Sequence, residues 1–133
     1  MNPELRFHHV GIACRDIEAT KTFYLGLGYT ASETVEDSIQ NVFICFLSKN
    51  GEPRLELLAP VDENSPINRM LSTAGVSPYH ICYEVLDMEE SIRILKQQHF
   101  LMVSRPVPAC AINNKRVSFL FNKDVGLIEL VEQ

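Results

Sequence analysis

Apolar and polar positions along the chain change period in a fixed order, and the order occurs twice. Phe7-His8-His9-Val10-Gly11-Ile12-Ala13-Cys14 is short and β-rich, and it ends just before Asp16, a good helix N-cap. From Ile17 the pattern turns helical: Ile17, Thr20, Tyr24 and Leu27 recur on one face with Ala19 and Phe23 alongside, and Gly26 and Gly28 supply a stop. Three strands are predicted after this helix, at Tyr29 to Thr34, Asn41 to Leu47 and Arg54 to Leu58. A Lys49-Asn50-Gly51 turn separates the last two, and Pro60 bounds them.

Residues 61–77 read as a connector holding a short helix, Pro66 to Leu71, with Ser65 as its cap and Gly75 and Pro78 beyond it. The first pattern then starts again. Tyr79 to Val85 is a strand, and Asp87 caps a helix with Glu90 at capping-box spacing ahead of Ile92, Leu95 and Lys96. Three strands recur at Leu101 to Val103, Arg116 to Phe121 and Gly126 to Val131. The chain is one βαβββ unit written twice, residues 5–60 and 78–133, in a single domain spanning 1–133. The register checks by subtraction: His9 to His80 is 71, Asp16 to Asp87 is 71, and Glu56 to Glu129 is 73.

Composition narrows the function classes. With 133 residues, 46% hydrophobic and 22% charged, the chain has enough apolar material for a core. The net charge of -5, with no basic run longer than Lys115-Arg116, argues against nucleic acid as a partner. No apolar stretch approaches the length of a membrane span and the start has no leader pattern, so no membrane association and a cytoplasmic protein are expected. Cys14, Cys45, Cys82 and Cys110 form no Cys-x-x-Cys pair and read as reduced, mostly buried small hydrophobes.

The repeat carries candidate chemistry. Each unit places a histidine on its first strand and a glutamate on its last, so two units side by side about a pseudo-twofold axis would bring together His9, Glu56, His80 and Glu129. Imidazole with carboxylate suits one divalent ion such as Co, Ni, Mn, Zn or Fe(II), and four protein ligands of an octahedral ion leave two positions for water or substrate. Glu56 and Glu129 lie in apolar runs, where an ionised carboxylate is costly unless it is paired or bound to metal. His9 shares a strand face with Gly11 and Ala13, while Val10 and Ile12 point to the other. His8 has the opposite parity and reads as a rim residue, and His99 as an exposed cation at a helix end.

These residues carry a family resemblance over nearly the whole chain. His9-Val10-Gly11-Ile12-Ala13 with Asp16 and Phe23-Tyr24, Glu56-Leu57-Leu58-Ala59-Pro60 with Ser65-Pro66-Ile67, His80-Ile81 with Asp87, and Gly126-Leu127-Ile128-Glu129-Leu130 resemble the vicinal-oxygen-chelate (glyoxalase/bleomycin resistance/dioxygenase) superfamily. Within it the chain is most similar to methylmalonyl-CoA epimerases. The resemblance implies an α+β fold of paired βαβββ modules curling into a mixed-sheet cleft, and a homodimer. It also implies a metal held at His9, Glu56, His80 and Glu129. The implied reaction is epimerisation, or a related lyase reaction, through an enolate of a small acyl-CoA or α-carbonyl metabolite, with Glu129 or Glu56 as the base.

The chain also departs from the epimerase pattern. Where some epimerases have a glutamate on the third strand, Phe43 stands here as a candidate substrate contact, and a glycine-rich loop is replaced by Pro108 to Arg116. The usual His-Pro-Lys stretch reads Phe121-Asn122-Lys123-Asp124. Lys115 and Arg116, with Lys49 or Arg54, are the candidate cations for a polyanionic CoA ester. The alternatives are a glyoxalase I-like lyase, an extradiol dioxygenase, against which Glu56 counts as a fourth ligand, and a non-catalytic module that sequesters small drug molecules.

Overall fold

Asp16 ends one element and starts the next. Strand β1 (Arg6–Ala13) precedes it and helix α1 (Ile17–Gly26) follows. Its carboxylate accepts the Glu18 and Ala19 backbone N–H groups at 2.9 and 3.4 Å, pairing amides that a first helical turn leaves bare. Asp87 repeats the device, accepting the Glu90 N–H at 2.9 Å to open α3 (Met88–Gln97). The capping box is only half made, because the Glu90 carboxylate binds Arg93 instead, twice at 2.7 Å. Ser65 is not the cap of the connector helix. That helix, α2 (Ile67–Ala74), starts from Pro66 with no side-chain cap, the fixed φ of proline suiting a helix start, and ends at Gly75 with φ 72°.

The computed structural model describes residues 2–133, which form ten strands and three α-helices of the α+β class. The remaining strands are β2 (Thr30–Ala31), β3 (Val35–Asp37), β4 (Val42–Ser48), β5 (Leu55–Pro60), β6 (Ser77–Val85), β7 (Leu101–Met102), β8 (Val107–Ala109), β9 (Lys115–Asn122) and β10 (Gly126–Glu132). Two of them correct the three-strand expectation. β3 and β8 are extra three-residue strands, each lying antiparallel on the long strand that follows it in the chain, β4 and β9 respectively.

The chain divides into two compact units, with the boundaries inside β1 after His8 and inside β6 after Tyr79. In the unit His9–Tyr79 the strand order is β2-β4-β5-β1, with β1 and β5 parallel and the other neighbours antiparallel. In the unit made of His80–Gln133 and the stretch ending at His8, the order is β6-β10-β9-β7, with β6 and β10 parallel. The N-terminal stretch belongs there because Leu5 packs on that unit's core and Arg6 lies 3.8 Å from Glu84.

Each unit buries one face of its strands under a helix. Ile12, Cys14, Cys45, Leu47, Leu57 and Ala59 pack with Ile17 of α1 in one. Leu120, Ile128 and Leu130 pack with Met88, Ile92 and Leu95 of α3 in the other. Burying a Leu- or Ile-sized side chain contributes about 1.5–3 kcal/mol, so these layers dominate the stability of each unit. Alternation along each strand then sends the intervening residues to the opposite face. Cys14, Cys45 and Cys82 are buried and reduced, and Cys110 is exposed. Burial pushes the Cys14 thiol up from its ordinary value. No helix among the described residues is long and apolar enough to cross a membrane.

Candidate functional site

On β1 the residues that avoid the helix-side core are His9, Gly11 and Ala13. His9 is fully buried. The parallel register sets Gly11 opposite Glu56 of β5. His9 Nε2 lies 3.1 Å from Glu56 Oε1. Phe46 of β4 is the antiparallel partner of Glu56 and meets the His9 ring edge to face, with centroids 5.3 Å apart and planes at 78°.

The second unit builds the same group from its own strands. Glu129 of β10 stands opposite Cys82 of β6 and Phe119 of β9. His80 Nε2 lies 3.2 Å from Glu129 Oε1, and Phe119 meets the His80 ring at 5.2 Å and 86°. Both histidines and both glutamates are at most 3% exposed.

The backbone behind each phenylalanine is also fixed in the same way. Ser32 Oγ accepts the Phe46 N–H at 2.9 Å, and Ser104 Oγ accepts the Phe119 N–H at 3.0 Å. The Ser32 carbonyl accepts from Cys45 Sγ at 3.4 Å, as the Ser104 carbonyl accepts from Ser118 Oγ at 2.6 Å. Phe46, Phe119, Ser32 and Ser104 are the residues that the sequence reading missed. Their signal was available: Phe46 to Phe119 is 73, the same offset as Glu56 to Glu129.

The donor set fits a divalent ion. A neutral imidazole nitrogen and a carboxylate oxygen about 3 Å apart oppose lone pairs unless a proton or a metal ion stands between them. A buried carboxylate is retained where a cation compensates it. His9, Glu56, His80 and Glu129 are thus possible metal ligands, two nitrogen and two oxygen donors of borderline hardness.

Two expected substrate contacts lie on the wrong face. Phe43 packs against the helix-side core of its unit, and the neighbouring Phe46 face of β4 is one residue step away. Arg116 is held by Glu132 at 2.7 and 2.9 Å and by Glu89 of α3 at 2.8 and 3.1 Å. These contacts hold Arg116 further above its ordinary pKa and both carboxylates below theirs, so the guanidinium is committed to the fold. A one-residue step along a strand reverses the face, which is why neither reaches the His–Glu side. Lys115, one step from Arg116, is half-buried on the same face of β9 as Phe119. Lys49 donates to the Leu27 carbonyl at 2.7 Å. His8 is half-buried and His99 is exposed beyond α3, with φ 70°.

Known proteins resemble this chain in sequence and fold. The family model for the glyoxalase/bleomycin resistance protein/dioxygenase superfamily matches residues 8–119. Uncharacterized protein YqjC of Bacillus subtilis is 32% identical over 132 residues, covering 96% of this chain and 91% of that protein. The mitochondrial methylmalonyl-CoA epimerase of Homo sapiens is 36% identical over 130 residues, covering 94% of this chain and 72% of that protein. Among solved structures, the Streptomyces coelicolor methylmalonyl-CoA epimerase in complex with 2-nitronate-propionyl-CoA superposes with a TM-score of 0.83 at 28% identity, covering 98% of this chain and 99% of that one.

Proposed function

The chain belongs to the glyoxalase/bleomycin resistance/dioxygenase superfamily, and from that premise we propose that it is a divalent-metal-dependent epimerase of a small acyl-CoA. The observation that carries this reading is the pair of buried His–Glu couples, His9 with Glu56 and His80 with Glu129. The epimerase relatives support the reaction type. The four side chains would hold one ion between them. When bound, that ion supplies Lewis-acid stabilisation of the negative charge that develops on the thioester carbonyl oxygen as the α-proton leaves.

The chain's own residues do the rest. Glu129 and Glu56 are the two carboxylates able to take the α-proton on a carboxylate oxygen; returning a proton to the opposite face of the planar carbon inverts the centre. Their burial excludes water that would otherwise compete for the proton. Phe46 and Phe119 hold the imidazole planes so that Nε2 faces its carboxylate. Lys115, on the Phe119 face of β9, and Arg54, beside His9 in the β1–β5 register, are the candidate cations for an anionic part of a CoA ester. A cytoplasmic homodimer is part of the same reading.

Elemental analysis before and after chelation, with cobalt reloading, is the first test; about one ion per chain is expected. Methylmalonyl-CoA in deuterated water should then gain deuterium at the α-carbon with the reloaded protein and not with the chelated one. A protein that takes up the ion but catalyses no exchange turns the reading toward a lyase of the glyoxalase type. A folded protein that takes up no ion turns it toward a ligand-sequestering module.

A further inference from the structure

One row of residues leads away from each imidazole across the strands of its unit. In the register that pairs Ile128 with Ile81, one step back sets Leu127 beside His80. Leu127 pairs with Phe121, and Phe121 with Leu101. Directly paired residues share a sheet face, so His80, Leu127, Phe121 and Leu101 form one row over β6, β10, β9 and β7. The row begins at a buried histidine and ends in solvent, with Phe121 44% and Leu101 69% exposed. From Leu127 to Leu101 it crosses two strand spacings, about 10 Å.

The corresponding row of the other unit has the opposite chemistry. One step back from Val10 and Leu55 sets Arg54 beside His9, Arg54 stands next to Ser48 in the β4–β5 register, and Ser48 pairs with Thr30. The offsets match those of the repeat: 127 minus 54 is 73, 121 minus 48 is 73, and 101 minus 30 is 71. The fold therefore does not require apolar residues at these positions. Single exposed apolar residues need no explanation; a contiguous row that starts beside a buried histidine calls for one.

We propose that the row Leu127, Phe121, Leu101 is a hydrocarbon subsite that takes the alkyl portion of an acyl-CoA whose chain is longer than a methyl branch. This rests on the acyl-thioester reading above and names its substrate class. The row is too wide for one methyl group to cover. It is bounded at the β9–β10 turn by the exposed Lys123–Asp124 ion pair, a hydrated border that a flat face between two copies would have to desolvate. β7 has only two residues, too short an edge for strand-to-strand pairing with a second copy.

The test is a binding series with unreactive straight-chain thioesters, propionyl- to octanoyl-CoA, measured calorimetrically on the metal-loaded and the chelated protein. The wild-type Kd should fall about three- to fourfold per added methylene until the row is covered. In the double variant Leu101→Thr, Phe121→Ser, which installs the residues of the other unit, the propionyl and octanoyl values should converge, with circular dichroism verifying the fold. Chain-length-independent binding by the wild type, or the same slope in the variant, overturns the proposal. So does a variant that dissociates a dimer in sedimentation while keeping the slope, because the row is then a contact between copies. Absence of α-proton exchange together with a retained slope overturns the epimerase reading and leaves the hydrocarbon subsite standing.

Discussion

The two units put the same two side chains, a glutamate and a phenylalanine, around each histidine and different ones in the row beside it. His9 and His80 each face a glutamate at 3.1–3.2 Å and a phenylalanine edge at 5.2–5.3 Å. Beside those groups stand Arg54 and Ser48 in one unit and Leu127 and Phe121 in the other. In the metal reading proposed above, the His, Glu and Phe positions are the ones that would serve the ion, and they match between the two units. In that reading the flanking positions would meet the substrate, and a substrate without twofold symmetry imposes no such match. The two repeats thus keep one pattern at the His–Glu couple and differ in the row of residues beside it.

The largest effect should come from breaking the equivalence of the carboxylates. Glu129→Gln is expected to abolish turnover, a loss of about 10³-fold or more in kcat at saturating metal, because it removes a ligand charge and a candidate base together. Measured beside Glu56→Gln under the same metal saturation, it separates the two roles. Wild-type turnover in Glu129→Gln moves proton transfer to Glu56.

A smaller effect sharpens the comparison at the phenylalanines. Phe46→Leu and Phe119→Leu should each weaken cobalt affinity by about tenfold, the scale of losing a group that orients a metal-binding histidine. A cobalt absorbance titration reads this directly. Equal losses support equivalent halves; a loss confined to one variant shows that only one imidazole depends on its aromatic neighbour. His8→Ala, one step off the buried face, should leave the metal content unchanged, and loss of the ion would place the ligand at the wrong histidine.

What was legible in the sequence follows from signal length and parity. Asp16 and Asp87 could be read as caps because an N-cap carboxylate before a periodic apolar run is a local signal, and the structure shows both bonded to backbone amides. The repeat and the His–Glu spacing were legible because single residues at constant offset survive divergence. β3 and β8 were not, since three residues are too few to show alternation and Pro108 reads as a loop residue. Ser65 looked like a cap from composition alone, but the cap position is Pro66 and α2 begins at Ile67. Phe43 and Arg116 lie off the His–Glu face for one shared reason. They occupy equivalent positions, 116 minus 43 being 73, and both lie on the helix-side face, which only the exact strand register decides.

That shared position also gives the smallest expected effect. Phe43 packs on a core, whereas Arg116 links β9 to Glu132 of β10 and Glu89 of α3. Arg116 lowers the pKa of both carboxylates, so what they contribute to stability is present above the ordinary unfolded carboxylate pKa of about 4.3 and is lost as pH falls through their depressed folded values. Arg116→Met should therefore lower Tm by about a few degrees near pH 7, screened because the partners are exposed, and the gap from wild type should close below about pH 4. Thermal melts across that range check the sign. Because Arg116 faces the helix side, the variant should keep the wild-type Kd for CoA thioesters, and a large loss of binding would return the guanidinium to the substrate face.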